Sequence, residues 1–380
     1  MLIRVSAGPI HRTPVVWSPE TRRHDPKHEI WVGVPTPGTE VSARVDVILE
    51  ALAGRPLVEA TPHPATALHS VHDPALVDFL ASVHDRWLAG EYVEQVGQDR
   101  VVPYFFPTPA MTSGMSIRDA PAVHALAGRF AYDTMTTVGP GTWPAVVAAA
   151  DCALTAATLV AAGTPAAYAL ARPPGHHATP AGYGGSCYLN NAALAAQALR
   201  DAGHERVAVV DVDAHHGNGT QAIFWERADV LYGSLHVDPG AGWFPHVLGY
   251  ADETGSGAGL GSTRNLPLAP GTGDPGWLEA MSGLGDWVAD AGCDALVVSL
   301  GVDAAADDPE SPLEVTAGGY RAAGTLLGGL GLPSVLVQEG GYHLPSLGGL
   351  VAAYLDGHEQ GAVSGTTRGR CDESGSSAPA

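Results

Sequence analysis

The chain is 380 residues long and carries 40 Asp and Glu against 19 Lys and Arg, a formal charge of -21. That balance disfavours nucleic acid and anionic membrane as partners and attracts cations, although a solvating acidic surface accounts for the same number. The four cysteines, Cys152, Cys187, Cys293 and Cys371, show neither CxxC spacing nor a dense framework, which argues against disulfide staples and thiolate zinc sites and fits a reducing cytoplasm.

The first 14 residues, MLIRVSAGPIHRTP, lack the basic segment and apolar run of a secretory signal. No run of 18 apolar residues follows, so the expectation is a soluble, cytoplasmic chain without a bilayer span. Residues 97–120, including VVPYFFPTPAMTSGMS, are punctuated by Pro, Gly and Ser and show no period, which predicts a long structured loop bearing Tyr104, Phe105, Phe106 and Met111. Downstream, β-type runs alternate with helical segments: AAYALA at 166–171, a helix over 190–203, VAVVDV at 207–212, VLYGSL at 230–235, ALVVSL at 295–300, a helix over 320–331 and SVLVQ at 334–338. The alternation predicts an α/β fold with a parallel sheet covered by helices. Towards its end the chain turns rich in Gly and Ser and nearly free of large apolar residues, which predicts a disordered tail over 361–380. A single catalytic domain is expected over 1–360, because a boundary between residues 170 and 343 would split the polar motifs.

Four of the β-type runs hand over to unusual polar segments: RPPGHH (172–177), DVDAHHG (211–217), GVDAAADDP (301–309) and EGGYH (339–343). Ligands of open parallel sheets bind beyond the carboxyl ends of the strands, so these segments should converge. Asp213 and His215 are two apart on an extended segment and project to one side. With Asp303 they make three candidate ligands that leave a position for water and substrate, as a catalytic zinc site requires. The same oxygen-rich set accepts Fe(II), Co(II) or Mn(II), and the spacing leaves a satisfied polar network open as an alternative. His176 and His177 follow a rigid Pro-Pro-Gly turn and suit proton transfer near neutral pH, or serve as a plain polar turn. Tyr342 is placed to donate to a developing oxyanion.

Taken together, RPPGHHA, GGSCYLNNAALAAQ, VDVDAHHGNGTQAIF, LGYADETGSGAG, VVSLGVD and EGGY resemble the arginase-like zinc deacetylases, that is, histone deacetylases and, most closely, bacterial acetylpolyamine amidohydrolases. The resemblance spans roughly residues 1–356. It implies a three-layer α/β/α fold with a central, mostly parallel sheet, and catalytic zinc (Zn2+) on Asp213, His215 and Asp303. It implies general base and acid at His176 and His177, and carbonyl polarisation by Tyr342. Asp211 falls where the family supports the first histidine, and Asn218 where some relatives have an Asp behind the second. A structural potassium (K+) is implied beside Asp211, Ser234 and Leu235. The implied reaction is metal-assisted hydrolysis of a small cationic or neutral N-acyl amine.

The sequence departs from the family pattern at the substrate. In the GGSC segment, Gly185 is followed by Ser186 where an aromatic usually stands, so the tunnel is expected to be wider or more polar. The facing aromatic is kept as Phe244, in a loop that adds Trp243. His124 stands where polyamine-specific relatives carry a glutamate, which opens the alternative of another N-acyl amide, such as a specialised metabolite or acetyl-lysine. His246 and His343 fall near the mouth by sequence, whereas His69, His72 and His204 read as surface or structural. The loop over 97–120 occupies the place where those relatives pack against a second subunit, so a homodimer with a narrowed entrance is expected.

Overall fold

The structure is a computed structural model and describes residues 12–373, with side chains described through Ser364. The reading of the N-terminus thus falls almost entirely outside the described residues, as does the side chain of Cys371. Ten strands form among the described residues: β1 (Val15–Trp17), β2 (His28–Trp31), β3 (Val34–Pro37), β4 (Leu57–Glu59), β5 (Ala166–Ala169), β6 (Val207–Asp211), β7 (Val230–Val237), β8 (Thr263–Leu268), β9 (Ala295–Leu300) and β10 (Ser334–Gln338). β2 and β3 make a separate antiparallel hairpin. The other eight form one sheet in the order β4-β1-β5-β10-β9-β6-β7-β8, and every pairing in it is parallel.

The order explains how distant motifs meet. β5, β10, β9, β6 and β7 are consecutive across the centre of the sheet, so the segments leaving their carboxyl ends emerge side by side. Their apolar runs are buried on both faces, as strands covered by helices must be. Val207 and Val209 enter one core layer, while Ala208 and Val210 enter the other. Because side chains alternate with period two, this register leaves no freedom to slip by one residue. Asp211 is pinned opposite Ser234 on one side and Ser299 on the other.

Helices Thr142–Ala161 and Asn191–Asp201 cover one face, and helices Ala43–Ala51, Asp274–Asp290, Ala317–Gly328 and Leu344–Glu373 the other. Thr142–Ala161 is the one helix among the described residues that is long and apolar enough to cross a membrane. However, 67% of its apolar window is buried inside the protein, and Ala149, Ala153 and Ala157 pack into the core.

The Gly- and Ser-rich stretch from 361 continues the last helix to Glu373, and 374–380 lie outside the described residues. Glycines of that last helix serve close contact: a Cβ on Gly357 would come within 2.0 Å of Arg321 O, and one on Gly361 within 2.2 Å of Thr325 O, on the neighbouring helix. Gly324 and Gly328 return the approach, 2.2 Å from Tyr354 O and 2.1 Å from His358 O. Segment 97–120 holds only the short helix Pro109–Thr112 and a bridge from Val101 to Val138.

Candidate metal centre and catalytic cleft

Beyond β6, Val212 N still donates to Ser299 O at 3.0 Å before the chain bends through residues 213–215. The bend carries Asp213 and His215, and the segment after β9, the adjacent strand, brings Asp303 to them. Candidate ligand atoms of these three residues all lie within 4.8 Å of one another. His215 Nδ1 is 3.1 Å from Asp303 Oδ2 and 3.3 Å from Asp213 Oδ1. Backbone donors hold the carboxylates: Ala214 N reaches Asp303 Oδ1 and Gly340 N reaches Asp213 Oδ2, both at 2.8 Å. Two glycines make the packing possible, since a Cβ on Gly301 would sit 2.0 Å from Asp213 Oδ2 and one on Gly340 2.3 Å from Asp303 Oδ2.

Both carboxyls are fully buried. Burial, and then the neighbouring charge of Asp213, push the Asp303 carboxyl up to about 7. Burial also acts on Asp213, but His176 and His215 outweigh it and hold that carboxyl below its ordinary value. Two anions so close repel until a cation stands between them. Two carboxylate oxygens and one imidazole nitrogen therefore fit a divalent ion, with the remaining coordination facing the cleft.

The adjacent histidines differ in their support. His176 Nδ1 is 3.1 Å from Asp211 Oδ2, and that carboxylate also accepts from Tyr232 OH at 3.2 Å. His177 Nδ1 instead lies 2.8 Å from the amide oxygen of Asn218, which must accept, so Nδ1 carries the proton and Nε2 is left as a base. Burial opposes charge on both rings. For His176 the carboxylates of Asp213 and Asp211 overcome it and raise the imidazole to about 10. For His177 burial and the neighbouring His176 and His215 lower it well below its ordinary value. The turn is tied to the protein by Asn190, which caps helix Asn191–Asp201 through Ala193 N at 2.9 Å and donates to Ala178 O at 3.2 Å.

His177, His215 and Tyr342 line one cavity of about 530 Å3, together with Gly185, Ser186 and Phe244. Phe244 meets the His177 ring edge-on at 4.7 Å. Tyr342 is held by its backbone N–H, which donates to Asp308 Oδ2 at 2.7 Å, and by Arg44, whose guanidinium lies 5.0 Å from the ring centre. Burial keeps the Tyr342 hydroxyl well above its ordinary pKa, so it stays a donor. Glu29, Asp133 and Glu310 line the same cavity. Burial, then Glu310, raise Glu29 to about 7.

Ser234, beside Leu235 on β7, lies in register with Asp211 and bonds His236 Nδ1 at 2.8 Å. His246 reaches the cavity wall, while His343 pairs with Asp307 at 3.0 Å. His124 is not brought to the wall; it bonds Tyr92 OH and lies beside Tyr104. His72 is structural: Asn190 N donates to its Nε2 at 2.8 Å and its Nδ1 faces Thr179 O at 3.0 Å. Sequence reasoning missed Glu29, Arg44, Asp133 and Glu310. Asp308 and Glu339 lie within the polar strand-end segments but carried no role there, and Glu339 accepts from Gly175 N at 2.6 Å. A second cavity, about 410 Å3, lies at the opposite end of the sheet against Pro165 and Pro333, and holds none of the candidate residues.

The family model described as histone deacetylase domain matches residues 38–357. The acetylpolyamine amidohydrolase of Mycoplana ramosa is 40% identical over 346 residues, covering 90% of this chain and 98% of that protein. The crystal structure of the acetylpolyamine aminohydrolase from Burkholderia pseudomallei aligns with a TM-score of 0.86 at 40% identity, covering 92% of this chain and 99% of that one. The HDA15 HD domain aligns with a TM-score of 0.74 at 29% identity, covering 93% and 90%.

Proposed function

The chain belongs to the histone deacetylase domain family and is a hydrolase of acetylated amides; from that premise we propose that it is a metal-dependent deacetylase of small N-acetylated amines, acetylpolyamines foremost. The observation that carries the reading is the convergence of the Asp213, His215 and Asp303 ligand atoms at the cavity that His177 and Tyr342 also line. Asp213, His215 and Asp303 would hold a divalent ion, zinc by the resemblance, which would supply Lewis acidity at the cleft when bound. His177 takes the water's proton at Nε2 and returns it to the leaving nitrogen, its tautomer set by Asn218. His176, held against Asp211, supports positive charge beside the cleft. Tyr342 donates its hydroxyl hydrogen to the developing oxyanion.

Glu29, Asp133 and Glu310 on the wall favour a cationic amine over a neutral one. Potassium beside Asp211, Ser234 and Leu235, a single catalytic domain over 1–360 and a cytoplasmic setting complete the reading; the free, buried Cys152, Cys187 and Cys293 support that setting. Tyr104, Met111, Met115 and Ile117 are 72%, 61%, 69% and 47% exposed. Apolar exposure of that kind supports a homodimer through segment 97–120 and exclusion of folded protein substrates. Ser186 favours the second reading, a bulkier N-acyl amide. Metal-loaded protein assayed on acetylputrescine, acetylspermidine, an acetyl-lysine peptide and acetylated histone tests both, with light scattering for the dimer. Fast turnover of intact histone by a monomer overturns the small-amine reading.

A further inference from the structure

The turn Gly184–Cys187 is closed by Cys187 N donating to Gly184 O at 3.0 Å. Both central residues are left-handed, Gly185 at φ 56 and Ser186 at φ 62, the geometry of a tight mirror-image turn. Side chains lock it from outside. Gly185 N donates to Asp133 Oδ2 at 2.6 Å, and Ser186 N to Thr136 Oγ1 at 2.8 Å. On the cavity side the turn lies directly beneath the reacting groups: a Cβ on Gly185 would come 2.4 Å from His177 Cδ2 and 2.9 Å from Phe244 Cε1. A small side chain at 186 therefore leaves space that the backbone cannot collapse to fill. Phe244 forms the aromatic wall of the same cavity, braced by Tyr132 stacked at 6.4 Å and 14°.

The volume, about 530 Å3, falls within the roughly 300–1,000 Å3 of sites that enclose drug-sized ligands and exceeds the needs of one extended alkyl chain. Resting on the amidohydrolase reading, we infer that the cavity takes mono-N-acylated diamines with a ring between amide and ammonium, and that Ser186 is the specificity-determining residue. The ring lies over the Gly185–Ser186 turn against Phe244, where offset or edge-on aromatic contact is favourable. The distal ammonium points to the carboxylates of Glu29 and Glu310.

The test compares N-acetyl-p-xylylenediamine with N-acetylputrescine, which carries the same charge on a linear spacer. Wild type should turn over the ring compound with a kcat/KM at least equal to that of the linear one. Ser186→Tyr should lower the ring compound's kcat/KM relative to that of N-acetylputrescine by roughly 10–200-fold, the range that a small steric mismatch in a pocket produces, with an unchanged melting temperature as the control for folding. Ser186→Ala, which keeps the space open, should retain the wild-type ratio of the two rates. Equal losses of both substrates in Ser186→Tyr, or a wild-type preference for the linear compound, overturn the inference. If neither amide is hydrolysed, the amidohydrolase reading itself fails. Calorimetric binding of p-xylylenediamine then decides the ring reading separately, since it must be tighter than that of putrescine in wild type and weakened in Ser186→Tyr.

Discussion

The base of the cleft and its mouth are built by different means. At the base, Asp213, His215 and Asp303 follow the adjacent strands β6 and β9, the two histidines follow β5 on the far side of β10, and their supports are buried. At the mouth, Glu29 comes from the β2–β3 hairpin, Asp133 and Ser186 from turns, Phe244 from the loop after β7 and Glu310 from the loop after β9. The base is fixed by backbone registers that also hold the core, so its geometry cannot change without unfolding. The mouth is fixed by side chains on loops, which vary at little cost to the sheet. On the proposed reading, chemistry belongs to the base and selectivity to the mouth.

The largest effects should come from the base. Asp303→Ala removes one of two buried carboxylates that need a cation between them, and should abolish both activity and the bound divalent ion, as metal analysis reads out. His177→Ala should cost about 10²–10⁴ in kcat with metal retained, the range for a positioned acid or base. An active His177→Ala enzyme would break the assignment of the proton shuttle. Tyr342→Phe should cost about 10²–10³ in kcat, as loss of one oxyanion donor does. Unchanged kcat with normal metal content would remove Tyr342 from the base.

Mouth substitutions should act on KM instead. Glu310→Gln should raise KM for N-acetylputrescine severalfold with kcat held, and should leave neutral N-butylacetamide unaffected. The mouth also carries the smallest and most specific effect, a pH dependence. Because Glu29 is raised to about 7, it is neutral below that pH and anionic above it. KM for the cationic amide should therefore rise as pH falls through about 7, and Glu29→Gln should flatten that rise. The same shift bears on stability: a carboxyl with a raised native pKa binds its proton more tightly in the folded state, so its contribution is lost as pH rises from about 4.5 to about 7. A KM profile that is identical for the neutral amide would place the titration elsewhere.

Legibility in the sequence follows the same division. β6 and β9 read directly as apolar runs, and the polar residues that end them lie within a few positions, so Asp213, His215 and Asp303 stand out as a group in the sequence alone. Glu29, Arg44 and Asp133 carry no local signal, since each meets the site across more than 40 residues of intervening chain. The glycines of the last helix carry no local signal either: Gly357 and Gly361 use the missing side chain as space for close contact with the neighbouring helix. Analogy of position puts His124 at the substrate, yet its hydrogen bond goes to Tyr92.

The sequence by itself determined the sheet, its burial and the chemistry at its strand ends, because apolar periodicity and the polar residues that interrupt it are local properties of the chain. Only the tertiary structure decided the strand order that puts β5, β10, β9, β6 and β7 side by side, the different partners of His176 and His177, and the acidic lining of the mouth. Those depend on distances between residues far apart in sequence and on the water excluded between them, and neither quantity is written in any single stretch of the chain.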